Sequence, residues 1–600
     1  VRPGDEVAEG AQLAVLEAMK MEHVVSAPVA GRVHALHAAA GDALGEGQVL
    51  LVLEPAGRGA GADDGASTPG AFGPLGPGGS WDPDAVRPDL AEVVDRHRRT
   101  LDESRPDAVA RRRRTGQRTA RENIADLCDP GTFTEYGWLV IAAQRRRRSV
   151  EELIERTPGD GMVTGLATVN ADLFGPERAR CIVMSYDYTV LAGTQGLQNH
   201  RKKDRMFELA DRWQLPMVVF TEGGGGRPGD TDGSGVSGLD CMAFHLFGRL
   251  SGRVPLVGVT SGRCFAGNAA LLGCCDVVIA TRGSNIGMGG PAMVEGGGLG
   301  VFSPEEIGPM DVQVPNGVVD VAVDDEAEAV AVARRYLSYF QGAVKSWDCA
   351  DPRRLRAVIP ENRLRVYDVR AVVEALADTG SVLELRRQFG HGMVTALARI
   401  EGRPIGIIAN NPVHLAGAID SEGADKAARF MQLCDAFGVP ILSLCDTPGI
   451  MVGPDAERTA LVRHCSRLFV VGASLTVPVF TIVLRKGYGL GAQAMAGGSF
   501  KAPAFCVAWP TGEFGGMGLE GAVRLGYRRE LDEIEDPDAR RTLFEEMVAR
   551  MYEHGKALNS ATYFEIDDVI DPADSRAWIS AGLRSVGEIS RGNRPCVDAW

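Results

Sequence analysis

The segment LEAMKMEH, residues 16–23, ends a short apolar strand with Lys20 between Met19 and Met21. An amine at the tip of a tight hairpin is held out on a rigid platform. That placement suits a covalent cargo, presented first to a modifying enzyme and then to distant active sites; the alternative is a surface lysine on a methionine-rich strand. Two other segments could act through backbone rather than side chains, SGRCFAGNAALL (261–272) and LRKGYGLGAQAM (484–495). Each reads as a buried strand that ends in a glycine-rich turn and enters a helix. N–H groups at such a turn have no intrahelical acceptor and suit a developing oxyanion. Small residues there let backbone meet the ligand. No Ser/His/Asp or paired-carboxylate constellation accompanies them. The ten histidines are scattered, and His414 reads as packing.

Two duplications define the elements that must position these residues. GDEVAEGAQLAVLE (4–17) recurs as GDALGEGQVLLVLE (41–54) at a constant offset of 37 residues. Each copy reads as a Gly-Asp turn, a polar hairpin and an alternating strand. Together they predict a small flattened β-sandwich over 1–54, with Lys20 at the reversal between copies. SAPVAGRVHALHA precedes the second Gly-Asp turn but has no counterpart before the first, so a further strand is expected ahead of Val1.

Residues 55–84 are nearly all Gly, Ala, Pro, Ser and Asp and read as a linker. A flexible chain of that length spans roughly 25–30 Å. Residues 85–128 read as helical.

The second duplication is larger. LAGTQGLQNHRKKDRMFELADRWQLPMVVFTEGGG (191–225) aligns with LAGAIDSEGADKAARFMQLCDAFGVPILSLCDTPG (415–449) at an offset of 224. The segments at 254–273 and 477–498 continue it with a one-residue slip. Each half alternates β-branched runs with helical patterns, which predicts an α/β architecture with halves at 85–345 and 346–600.

The formal net charge of −15 argues against a nucleic-acid partner. Two basic runs, 111–121 and 144–148, read as solvated helix faces or subunit contacts, with the phosphates of coenzyme A as the alternative. No apolar run of membrane-spanning length is present. Twelve cysteines without C-x-x-C spacing give no metal-ribbon pattern and point to a reducing cytoplasm.

The EAMKM segment resembles the attachment motif of the biotinyl domain of biotin-dependent carboxylases, which implies biotin on Lys20, installed by a biotin protein ligase. Residues from about 90 to 590 resemble the carboxyltransferase of acyl-CoA carboxylases. The stretches that carry this are GQRTARENIADLCDPGTFTEYG (116–137), GDGMVTGLATVN (159–170), DTPGIMVG (446–453), LRKGYG (484–489), AWPTGEFGGMGLEGAV (508–523) and IDDVIDPADSRAW (566–578). The resemblance implies two crotonase-like halves of the ββα-superhelix type. The first would hold acyl-CoA and stabilise the thioester enolate at Ala266 and Gly267. The second would receive biotin and stabilise its ureido oxygen at Leu490 and Gly491. The order of segments resembles that of single-chain acyl-CoA carboxylases, long-chain types among them, in which a biotin carboxylase lies upstream, and the family resemblance implies a homo-oligomer, expected to be a hexamer. Three departures stand out. Ala266-Gly267 replaces Gly-Gly, YGLGAQ (488–493) replaces YGGAYD and so puts Gln493 where an aspartate helps choose the acyl group, and FTEGGGGRPGD (220–230) replaces DSGGAR.

A biotin-dependent decarboxylase running the transfer backwards is one alternative. A crotonase-type hydratase or isomerase is another; it would need carboxylates near the acyl β-carbon, such as Glu222 or Glu295, and would leave Lys20 without a purpose.

Overall fold

The computed structural model describes residues 1–18, 21–45, 47–56, 84–233, 236–587 and 596–600. They fall into two compact units, Val1–Ala91 and Glu92–Trp600.

The first unit contains strands β1 (Glu6–Val7), β2 (Gln12–Ala18), β3 (Met21–Ser26), β4 (Gly31–Leu36) and β5 (Leu51–Pro55). One sheet runs β1-β4-β5, and β2 pairs antiparallel with β3 until Ala18 faces Met21. The 37-residue repeat reappears as repeated backbone conformation. Gly4 and Gly41 have φ of 98° and 99°, Gly10 and Gly47 of 83° and 82°. The Asp5 carboxylate accepts the Arg2 N–H at 2.7 Å, as Asp42 accepts that of Ala39 at 2.8 Å. Glycine is used at these corners because positive φ costs it nothing. Lys20, and nearly all of the expected linker, lie outside the described residues.

The second unit is built on two sheets of the same topology. The first contains β6 (Thr134–Glu135), β7 (Met162–Thr168), β8 (Arg180–Tyr186), β9 (Met217–Phe220), β10 (Leu256–Thr260), β12 (Val277–Thr281) and β14 (Val321–Val323), in the order β14-β12-β10-β9-β8-β7-β6. Beside it β11 (Arg263–Phe265) pairs with β13 (Asn285–Gly287). The second sheet contains β15 (Leu383–Leu385), β16 (Met393–Ile400), β17 (Arg403–Asn410), β18 (Ile441–Thr447), β19 (Val479–Tyr488), β20 (Phe505–Ala508) and β22 (Asp568–Val569), in that order, with β21 (Glu513–Gly515) paired to the end of β19. In each sheet two successive antiparallel pairings, β6-β7-β8 or β15-β16-β17, lead into parallel strands. The helices Leu197–Trp213 and Ser421–Ala436 begin 224 residues apart, as the repeat requires.

Parallel strands covered on both faces must be apolar throughout. Val257 and Ile279 in one sheet, and Leu442 and Ile482 in the other, are fully buried accordingly. The helix Glu326–Gln341 follows the first sheet, and its Tyr336 and Leu337 join one core with Val277 of the first sheet and Leu397 of the second. The two halves thus share a core.

Candidate active site: two glycine-rich turns

The first turn follows β11. Ala266 has φ 52° and ψ −122°, a region that an L-residue occupies only under strain. It is held there from both sides: its N–H donates to the Gly287 carbonyl at 3.0 Å, and its own carbonyl accepts the Ala270 N–H at 2.8 Å. The expectation that Ala266 offers a free donor is corrected here, because that N–H extends the β11-β13 pairing. The helix Gly267–Gly273 begins next, so the N–H groups of Gly267, Asn268 and Ala269 lack helical acceptors.

A second source of donors lies close by. Leu191 and Ala192 are both left-handed, at φ 49° and 53°, and their N–H groups meet no acceptor among the described residues. Asn268 ties this loop to the turn. It is fully buried, donates through Nδ2 to the carbonyls of Gly193 (3.3 Å) and Thr221 (3.2 Å), and accepts the Gly225 N–H at 3.1 Å. Three loops are therefore fastened by one amide. Gly193 must lack a side chain, since a Cβ there would lie 2.5 Å from the Glu222 carbonyl.

The second turn repeats the geometry. Lys486, Gly487 and Tyr488 of β19 pair in parallel with Glu513, Phe514 and Gly515, as Arg263, Cys264 and Phe265 pair with Asn285, Ile286 and Gly287. That register equates Ala266 with Gly489, whose φ is 54°, Gly267 with Leu490, and Asn268 with Gly491. This offset of 223 is the one-residue slip already present between 254–273 and 477–498, so the family-implied pairs Ala266-Gly267 and Leu490-Gly491 are not equivalent position by position. Leu415 and Ala416 repeat the left-handed pair at φ 48° and 54°. Where Asn268 reaches across with an amide, Gly491 lets backbone touch backbone: a Cβ on it would sit 2.7 Å from Gly449 Cα. Lys486 Nζ donates to the Ala416 carbonyl at 3.0 Å and is held below its ordinary pKa by burial, against the pull of Asp446. Leu490 is 60% exposed, and Gln493 is exposed on the helix Gly489–Met495. The loop carrying the exposed Met517 passes nearby, with the Gly516 carbonyl 2.8 Å from where a Gly489 Cβ would be. Unpaired N–H groups beside exposed apolar side chains fit a ring system with one polar oxygen, as biotin has.

The replaced motif FTEGGGGRPGD has a structural part. Arg227, 5% exposed, pairs with Asp160 and Asp230 and donates to the Thr194 carbonyl at 3.0 Å. Asp230 and Asp160 in turn accept the N–H groups of Leu197 and Asn199, both at 2.8 Å, at the start of the following helix. The segment thereby anchors the Leu191–Thr194 loop. Glu222 is turned away from the turn and pairs with Arg112, the one inward-facing residue of the run 111–114. Burial pushes its carboxyl up to about 6 although Arg112 pulls the other way. Glu295 is exposed on the helix Pro291–Gly296. Neither carboxylate is presented at the first turn. Sequence reading missed Ala192, Asn268, Ala416 and Gly489; the repeated LAG at 191–193 and 415–417 was the available signal.

The strain at Ala266 is testable by itself. Ala266→Gly should raise the thermal unfolding midpoint, because relief of roughly 1–3 kcal/mol of strain exceeds the roughly 0.4–1 kcal/mol of added unfolded-state entropy. A lowered midpoint would mean that the Ala266 methyl, which faces Gly225, contributes more by packing than its backbone costs.

Residues 111–596 match the family described as Carboxyl transferase domain, and residues 1–53 match that described as Biotin-requiring enzyme. The chain is 32% identical over 490 residues to the methylmalonyl-CoA carboxyltransferase 12S subunit of Propionibacterium freudenreichii subsp. shermanii, covering 79% of this chain and 90% of that one. It is 30% identical to the biotin-dependent long chain acyl-coenzyme A carboxylase beta4 subunit of Mycobacterium tuberculosis, covering 82% and 93%. Among solved structures, a single-chain, multi-domain long-chain acyl-CoA carboxylase matches with a TM-score of 0.79 and 59% identity. That match covers 97% of this chain and 54% of the other, so this chain spans about half of that protein. The transcarboxylase 12S hexamer with methylmalonyl-coenzyme A bound matches at a TM-score of 0.72 and 28% identity, covering 85% and 97%.

Proposed function

This chain belongs to the carboxyl transferase family, with a biotin-requiring module at residues 1–53, and from that premise we propose that it transfers a carboxyl group from biotin on Lys20 to the α-carbon of an acyl-CoA. The observation that carries this reading is the pair of matching turns, each with unpaired backbone N–H groups and a left-handed loop beside it.

Biotin, when attached, supplies the carrier of the carboxyl group. At the first turn the N–H groups of Gly267 and Ala192 hold the thioester oxygen as negative charge grows on it. Donors fixed before the reaction need no reorganisation, and each contributes on the order of 3–4 kcal/mol in comparable enzymes. At the second turn the N–H groups of Leu490 and Ala416 hold the ureido oxygen, and Gly491 keeps that turn seated on Gly449. Gln493 belongs to the acyl pocket in this reading. Carboxylation of biotin itself would fall to an ATP-dependent biotin carboxylase, and the working form is a hexamer. No helix among the described residues is long and apolar enough to cross a membrane.

The test is the reverse transfer. Purified protein is given free biotin and malonyl-, methylmalonyl- and longer alkylmalonyl-CoAs, and loss of the carboxyl group is followed. Turnover of a subset is expected and would define the acyl group; no turnover by a folded oligomer would overturn the reading.

A further inference from the structure

The two halves share topology, turns and left-handed loops, so a buried polar group found in only one half marks a difference in task. Lys202 and Lys426 are not such a group. They occupy equivalent positions, and each is spent on main-chain carbonyls, Lys202 on those of Gly137, Gly159 and Met162 and Lys426 on that of Phe389.

Lys203 is different. It is fully buried in the helix Leu197–Trp213, and its Nζ donates to the Tyr186 hydroxyl at 2.9 Å and to Gln195 Oε1 at 3.1 Å. Its direct partners include no carboxylate. The repeat places Ala427, Ile419 and Asn410 where the first half has Lys203, Gln195 and Tyr186. The cation and its amide partner are therefore absent from the second half.

Gln195 connects this cation to the first turn. Its backbone is held on both sides, the N–H donating to the Gly225 carbonyl at 2.7 Å and the carbonyl accepting the Arg227 N–H at 2.9 Å. A lysine only donates, so the Gln195 atom facing it is the oxygen, and Nε2 must point the other way. That nitrogen is buried without a partner, and the place of a Cβ on Gly267 lies 2.9 Å from it. The Gln195 amide thus lies directly under the first residue of the helix whose N–H groups face the thioester oxygen. A buried, unsatisfied amide and a buried ammonium without a counter-ion each cost stability.

We propose that Lys203 and Gln195 are positioning residues of the enolate-stabilising turn, the ammonium holding the amide beneath Gly267 and placing behind it a positive charge that no carboxylate contacts directly. The inference rests on the acyl-CoA reading of the first half given above. Negative charge develops on the substrate only as the α-carbon loses its carboxyl group or proton. A fixed cation behind the turn consequently favours the transition state over the bound substrate.

Burial lowers the Lys203 pKa to about 7. The groups that bear on it are Asp204 and His200 on its own helix, and Asp160 and Arg227 from the neighbouring loops, together with Cys241 and the Tyr186 phenol. Burial and the cations beside it lower the His200 pKa to about 3, so that imidazole is neutral across the range in which Lys203 titrates. The cation is present below that pH and lost above it, so the wild-type kcat should fall as pH rises through about 7.

The experiment is the reverse transfer to free biotin, run on wild type, Lys203→Met, Gln195→Leu and Tyr186→Phe. Lys203→Met should lower kcat about 10- to 100-fold, with KM for the acyl-CoA unchanged and the limb near pH 7 gone. Gln195→Leu leaves the helix sequence intact and should also lower kcat at constant KM, which keeps the test decisive if the lysine variant does not fold. Tyr186→Phe keeps the amide but removes one of the two acceptors of the ammonium, so it should retain kcat on the low-pH plateau and move the limb to lower pH. Wild-type kcat with the pH limb preserved in folded Lys203→Met or Gln195→Leu, or an effect confined to KM, would overturn this inference while leaving the carboxyltransferase reading intact. An inactive wild type would overturn both.

Discussion

Lys20→Arg is expected to leave the chain without biotin and to abolish carboxyl transfer between acyl-CoA and the chain's own biotin, while transfer from an alkylmalonyl-CoA to free biotin continues unchanged. Arginine preserves the charge but not the primary amine that must form the amide, and a planar guanidinium is not interchangeable with an ammonium. The separation of the two outcomes carries the information. The described residues place both turns in the unit Glu92–Trp600, so free biotin should reach the second turn without the carrier. Streptavidin blotting and the two assays together read the result. Loss of transfer to free biotin as well would mean that the carrier module contributes to the site itself.

Gly491→Ala should lower kcat/KM for free biotin by about 100-fold or more, because displacement of about 1 Å at a reacting centre has that effect. A Cβ at Gly491 would meet Gly449 at 2.7 Å, backbone against backbone, with no flexible side chain to yield. Gly449 cannot retreat freely. Its N–H donates to Thr447 Oγ1 at 3.1 Å, and its carbonyl accepts from that hydroxyl and from the Ile419 N–H, both at 3.0 Å. Movement would therefore pass to the Leu415–Gly417 loop and to the Leu490 N–H. Gly521→Ala is the matched control, since its Cβ would meet only Met517 Cε at an ordinary 3.7 Å. Acyl-CoA binding at the first turn should be unaffected in both variants. Equal activity of Gly491→Ala and the control would remove the second turn from the mechanism.

Where reading by sequence succeeded and where it failed has a physical basis in these residues. The 37-residue repeat was legible because its corners need positive φ, which confines Gly4, Gly10, Gly41 and Gly47 to one residue type. The 224-residue repeat was legible because parallel strands covered on both faces must be apolar, and because LAG recurs where the backbone is left-handed twice in succession. The Met-Lys-Met segment could be read by residue type without neighbours in space, and it lies within residues 1–53, which match the family described as Biotin-requiring enzyme.

Other features were not legible because they depend on what the chain meets after folding. Ala266 reads as an ordinary small residue, and only the pairing of its N–H with Gly287 shows that it shapes the turn without donating to a ligand. Asn268 is one amide in a helical stretch until two other loops converge on it. Glu222 beside four glycines looks like a catalytic carboxylate, yet Arg112, 110 positions earlier, turns it inward. Lys202 and Lys203 are adjacent in the chain, and a helix sends them to different surroundings: one to a set of carbonyls, the other to an amide under the first turn. The sequence by itself determined the two repeats, the glycine-rich turns and the candidate carrier lysine, since each follows from local conformation or residue type. The tertiary structure alone decided which N–H groups remain free, which turn residues correspond and which cation stands behind the first turn, because free donors and buried charges are defined by neighbours in space, which here lie from 8 to 110 positions away along the chain.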